Sequence, residues 1–166
     1  MQPAEAREVI NDFTYFVDVP YRVRPPKVVL EEKRAHCLEA ALVAAFLLPN
    51  LPQKLLYITT DKPYEGTDNT FSHAVFLLEQ GVHEFSSIGV SRHPQLIGRT
   101  EFFPSVVELA QTYVDAYEEM GVSVLKVSVA DMNGMPIGVN WRELYSDITF
   151  INSMLEIYGQ DIMMDL

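Results

Sequence analysis

The apolar positions of the chain fall into a few patterned stretches separated by proline, glycine and polar runs. Val9, Ile10 and Phe13 share one side of a helix expected over Ala4–Asp12. From Phe16 to Pro26, three prolines (Pro20, Pro25 and Pro26) call for extended chain, because proline has no N–H to donate and its ring clashes with a preceding helical turn. Val28–Arg34 has room for one or two helical turns. Cys37–Leu48 (CLEAALVAAFLL) consists of strong helix formers and is apolar nearly all round, the pattern of a helix buried on every side. Pro49-Asn50-Leu51-Pro52 ends it.

Strands are expected next. Lys54–Thr60 (KLLYITT) and Thr70–Leu78 (TFSHAVFLL) flank a polar loop, Asp61–Asn69. Glu79-Gln80-Gly81 is a tight turn, which makes Val82–Ile88 a third strand in a hairpin with the second. Gly89–Thr100 reads as loop. A helix over Pro104–Met120 has proline in its first turn, an apolar stripe through Val106, Val107, Leu109, Ala110, Tyr113, Val114 and Tyr117, and Gly121 as its stop. Val122–Ala130 alternates as a strand, Met132–Asn140 is loop, and Trp141–Tyr145 and Asp147–Tyr158 predict one or two C-terminal helices. Helices flanking a small, mostly antiparallel sheet make an α+β fold, here one domain over residues 1–166 with its core in residues 29–130.

Composition narrows the function classes. A chain of 166 residues, 48% hydrophobic and 21% charged, suits one globular domain. A net charge of −11 argues against nucleic acid or an anionic membrane as the main partner, since both require clustered positive charge. The N-terminus lacks the basic start and apolar core of a signal peptide, and no run reaches membrane-spanning length. The expectation is a cytoplasmic protein of undetermined oligomeric state. The single cysteine rules out an internal disulfide and any zinc site of several thiolates. His36, Cys37, His73, His83 and His93 match no recognised ligand spacing, and the glycine-containing loops match no phosphate-binding fingerprint, so neither metal nor cofactor is expected. Arg92, His93 and Arg99 form a basic island, read first as a salt-bridged surface loop and second as a holder for an anionic group of a substrate.

The chemistry rests on Cys37. It stands at the start of the most buried helix, where unpaired N–H groups and the positive end of the helix dipole favour a thiolate and a developing oxyanion. His73 lies in the second strand, sharing a face with Phe71, Val75 and Leu77, so a helix packed on that sheet would bring the thiol opposite the imidazole. Glu84, Ser86 and Ser87 on the hairpin strand are candidates to orient the ring. Spacing alone does not favour an enzyme, because free cysteine is among the most buried residue types and a strand histidine is commonly a satisfied core residue.

The string Ala35-His36-Cys37-Leu38-Glu39-Ala40-Ala41, the strand with Ser72-His73-Ala74-Val75, the hairpin Gly81–Ser87 and the helix Val107–Tyr113 together resemble the transglutaminase-like superfamily of papain-type cysteine enzymes. The likeness covers Val29–Tyr117 and is greatest to a bacterial branch of short members. It implies Cys37 as nucleophile, His73 as general base and then general acid, and a third residue on the neighbouring strand. The superfamily usually has an aspartate there, often after a tryptophan. Here the stretch reads His83-Glu84-Phe85-Ser86-Ser87, and Ser87 is taken for the position, with Ser86 or Glu84 as alternatives if the register differs. A serine holds an imidazole but does not stabilise its cation as a carboxylate does. The implied activity is acyl transfer from an amide or ester of a peptide, a protein or a small molecule. The rival expectation is a non-catalytic binding or assembly domain on the same scaffold, and the third is a subunit in which Cys37 is simply core. A continuous helix over Val28–Leu48 would remove Cys37 from a helix terminus and weaken the enzyme reading.

Overall fold

The computed structural model describes residues 1–62 and 72–166. The elements in chain order are α1 (Pro3–Asn11), β1 (Thr14–Tyr15), α2 (Pro26–Glu32), β2 (Arg34–Ala35), α3 (Cys37–Leu47), β3 (Lys54–Thr60), β4 (His73–Gly81), β5 (Glu84–Ile88), a 3-10 turn (Pro94–Leu96), α4 (Val106–Glu119), β6 (Val124–Asp131), α5 (Ile151–Tyr158) and β7 (Gln160–Ile162). The α+β class is as the sequence predicts. Most of the expected loop Asp61–Asn69, and Thr70 and Phe71 of the expected second strand, lie outside the described residues.

The main sheet has the order β5-β4-β3-β6-β7, with every neighbouring pair antiparallel. Its sides carry separate cores, because alternate residues of a strand point to opposite faces. On one face Leu55, Tyr57, Ala74, Phe76 and Leu78 pack against α3 and the helices around it. On the other, Leu56, Ile58, Val75, Leu77 and Val127 pack against Leu109, Tyr113, Val114 and Tyr117 of α4. Helix α3 is buried along nearly its whole length, which explains an apolar pattern with no polar side.

Several boundaries move for physical reasons. Helix α4 begins at Val106, after Pro104, because the Ser105 side chain accepts the Glu108 N–H at 3.1 Å and caps the helix. The hairpin is longer than its turn residues suggest: β4 runs on to Gly81, with a register shift between Glu79 and Gly81. Trp141–Tyr145 forms turns rather than a helix. The chain after α5 adds a strand, β7, which pairs Ile162 with Val127 and Gln160 with Val129.

Candidate active site

The chain between α2 and α3 decides where Cys37 stands. Lys33 takes up the left-handed conformation (φ 57°) and ends α2. Arg34 and Ala35 then pair in parallel with Thr14 and Tyr15. Helix α3 therefore starts afresh, with His36 as N-cap and Cys37 as its first residue. His36 and Glu39 form a reciprocal cap: the Glu39 N–H donates to His36 Nδ1 (3.4 Å), and the His36 N–H donates to Glu39 Oε1 (3.1 Å). With Nδ1 accepting, Nε2 carries the proton and donates to the Arg22 carbonyl at 2.8 Å. The ring stacks on Tyr21, and burial lowers its pKa.

Glu39 is buried in the core beside Arg24, each 1% exposed. Arg24 donates from Nε to Oε2 (2.8 Å) and from Nη2 to Oε1 (2.9 Å), a two-pronged grip, and its main-chain N–H donates to Oε2 at 2.7 Å. Nη2 also donates to the Arg34 carbonyl, and Nη1 to Glu32. Burial opposes the guanidinium charge, but Glu39, Glu32 and Asp18 together hold its pKa above the usual value. Sequence reasoning missed this pair. The only trace of it is Glu39 three residues after a capping position in an otherwise apolar helix.

Cys37 is 4% exposed. Burial pushes its thiol up to about 11, although the N–H groups of Ala74, Leu38 and Cys37 itself act in favour of the thiolate. The contact with Ala74 locates the sulfur. Strand β5 ends at Ile88, opposite Phe76, so the stretch His73–Val75 of β4 is left uncovered by β5, and the sulfur lies against it.

His73 leaves β4 on the other face, with Val75 and Leu77, where its ring lies tilted against that of Tyr113 at 5.7 Å. The expectation that α3 packs on the face carrying His73 is thus corrected: α3 takes the face of Ala74 and Phe76. No hydrogen bond joins the sulfur and the imidazole among the described residues. His73 Nε2 lies 2.5 Å from the Leu96 carbonyl, while Nδ1 is buried with no partner among the described residues. Burial drives the His73 pKa down to about 4; the Leu96 carbonyl opposes the shift, and Arg99 and His93 add to it. At neutral pH both groups are therefore uncharged.

Ser87 does not orient His73. It pairs with Leu77, four residues along β4 and about 13 Å from His73 by strand rise. Its Oγ lies 2.7 Å from Tyr113 Oη and accepts the Arg99 N–H at 2.8 Å. Ser86, opposite Leu78, faces the α3 side and is buried with Oγ unpartnered among the described residues; Glu84 is exposed at the hairpin. The orienting acceptor is the main-chain carbonyl of Leu96, an atom that no residue type announces. Arg99 is also structural: it donates to Thr112 Oγ1 and to the carbonyls of Ile97, Gln95 and Thr112.

The segment carrying Leu96 is docked by close backbone approach at Gly98. A Cβ there would fall 2.6 Å from the Ser87 carbonyl oxygen, 2.8 Å from Gly89 N and 2.9 Å from Ile88 Cα, all main-chain atoms. Gly98→Ala is expected to cost about 1–3 kcal/mol by overpacking. Urea denaturation checks this, and an unchanged midpoint would contradict the packing described.

The sequence model of the vasohibin family, whose fold is of the transglutaminase-like cysteine-enzyme type, matches residues 27–147. Comparison with curated proteins finds no match.

Proposed function

The chain belongs to the vasohibin family, and from that premise we propose that it is a thiol-dependent hydrolase or acyltransferase acting on an amide or ester bond through Cys37 and His73. The observation that carries this reading is the state of His73: buried, pinned at Nε2 by the Leu96 carbonyl, and left with an Nδ1 that has no partner among the described residues. Structural histidines use both nitrogens when buried, as His36 does. An imidazole held at one nitrogen with a free lone pair at the other is equipped to take a proton.

In the proposed reaction Sγ bonds to the substrate carbonyl carbon while its proton passes to Nδ1. The first-turn N–H groups of α3 are the donors for the oxyanion. Collapse of the adduct breaks the bond to the leaving amine or alcohol, which takes the proton from Nδ1 and leaves a thioester on Cys37. Water or an amine then attacks the thioester with Nδ1 accepting its proton, and the thiol is released reprotonated. The acyl donor is a peptide, a protein or a small amide. The rival reading, a binding or assembly module on the same scaffold, draws on a thiol that burial keeps protonated at neutral pH.

Alkylation by iodoacetamide between pH 5 and 9 decides between them. Wild-type protein is expected to react at Cys37 at least about a hundredfold faster at pH 7 than His73→Ala, the lower end of what a positioned base contributes. Equal rates in the two proteins, or a thiol inert until denaturation, would favour the module.

A further inference from the structure

The grip on His73 is only as firm as the segment that supplies the Leu96 carbonyl, and that segment is held residue by residue. Arg99 Nη2 donates to the Gln95 carbonyl at 2.8 Å. His73 takes the Leu96 carbonyl. Tyr113 Oη donates to the Ile97 carbonyl at 3.0 Å, which Arg99 Nη1 also reaches at 2.9 Å. Gly98 N–H donates to the Gly89 carbonyl at 3.0 Å, and the Ser87 N–H donates to the Arg99 carbonyl at 3.1 Å.

Counting protons fixes the direction of every bond in the chain of hydroxyls. The Ile97 carbonyl only accepts, so the single Tyr113 proton points to it. The 2.7 Å contact between Tyr113 and Ser87 must then use the Ser87 proton, and Ser87 Oγ accepts from the Arg99 N–H. The run Arg99 N–H to Ser87 to Tyr113 to Ile97 closes on the two residues flanking Gly98, one and three positions from Leu96. The ring of Tyr113 lies tilted against that of His73 at 5.7 Å, and the Arg99 guanidinium sits over the Tyr113 ring, 4.1 Å from its centre.

We infer that the hydroxyls of Tyr113 and Ser87 are positioning groups for His73: they clamp residues 97 and 99 so that the Leu96 carbonyl fixes the imidazole as its Nε2–H tautomer, leaving the Nδ1 lone pair free. This rests on the proposed role of His73 as base. It gives the Ser87 hydroxyl a function at second hand, through the segment it braces rather than by touching the ring. Were the two hydroxyls merely satisfying buried polar groups, their loss would lower stability and leave the ring tautomer alone.

The test uses the full chain at pH 7, with long-range proton–nitrogen correlation spectra of the His73 ring and iodoacetamide alkylation of Cys37. Tyr113→Phe keeps the ring contacts and removes only the hydroxyl. The population of the Nδ1–H tautomer is expected to rise about fivefold, the size of one hydrogen bond's net contribution, and the alkylation rate at Cys37 to fall with it. Ser87→Ala is expected to move both readouts in the same direction, and it carries the test if Tyr113→Phe does not fold. Variants that lose stability but keep the wild-type tautomer ratio overturn the inference. If instead the tautomer shifts while His73→Ala alkylates at the wild-type rate, the positioning stands and the role of His73 as base is what fails.

Discussion

Glu39→Ala is expected to lower stability by about 3–5 kcal/mol, because it takes from buried Arg24 the carboxylate that holds Nε and Nη2 and leaves its charge to the partly exposed Glu32 and Asp18. Arg24 is 1% exposed and spends Nε and Nη2 on this carboxylate. Truncation also leaves the N–H groups of Arg24 and His36 without acceptors. Arg24→Met alone is expected to cost a similar amount by stranding the opposite charge. The double variant Arg24→Met/Glu39→Ala is expected to lose less than the two singles added together, since neither charge then remains. Urea denaturation of the four proteins closes the cycle. A loss under about 1 kcal/mol for Glu39→Ala would mean a solvated pair of the kind found on protein surfaces. The pair also brings the proline-rich segment before α2 against the first turn of α3, so its removal is expected to disturb the seat of Cys37 as well as the fold.

A second large effect is expected in acid. His73 has a folded-state pKa of about 4, against an ordinary histidine value of about 6.5 in the unfolded chain. Below pH 6.5 the unfolded chain takes up a proton that the folded chain refuses, so stability falls with pH through this window. The contribution is complete above pH 6.5, and about 3 kcal/mol of it is gone by pH 4, at 1.36 kcal/mol per pKa unit. His36 is shifted in the same direction by burial and steepens the same slope. His73→Gln removes the titrating ring. Its stability measured from pH 7 to 4 is expected to decline less than wild type by that amount, whatever its value at pH 7. Parallel curves would show that His73 is free to protonate in the folded protein, and hence that it is not enclosed as described.

What the sequence made legible, and what it did not, follows from the range of the forces involved. An apolar run with no polar side has one stable location, so the burial of α3 could be read directly. The alternation of β4 and β5 and the turn between them are local signals, as is the stripe of α4. Strand β7 was missed because Gln160-Asp161-Ile162 is short and polar, and only its pairing with β6 makes it a strand. The face on which α3 packs was also misjudged. Alternation shows which residues of β4 share a side with His73, but it does not show which helix covers that side. The cysteine and histidine were visible as residue types. The acceptor that holds the histidine is a main-chain oxygen brought in from a loop, and Arg24 meets Glu39 across 15 positions through a fold that has to exist first.

The division of the sheet into two separate cores has a consequence for how such a protein can diverge. The sulfur lies in a bed made by α3 and one face of β4, while the imidazole, its carbonyl anchor and the bracing hydroxyls belong to the opposite layer with α4. Mutations around Tyr113 in the second layer can retune the proton acceptor, whereas Tyr117, one turn further along the same helix, also feels the charge of Cys37. Descendants of such a chain can adjust basicity through the first of these tyrosines, while changes at the second reach the nucleophile as well.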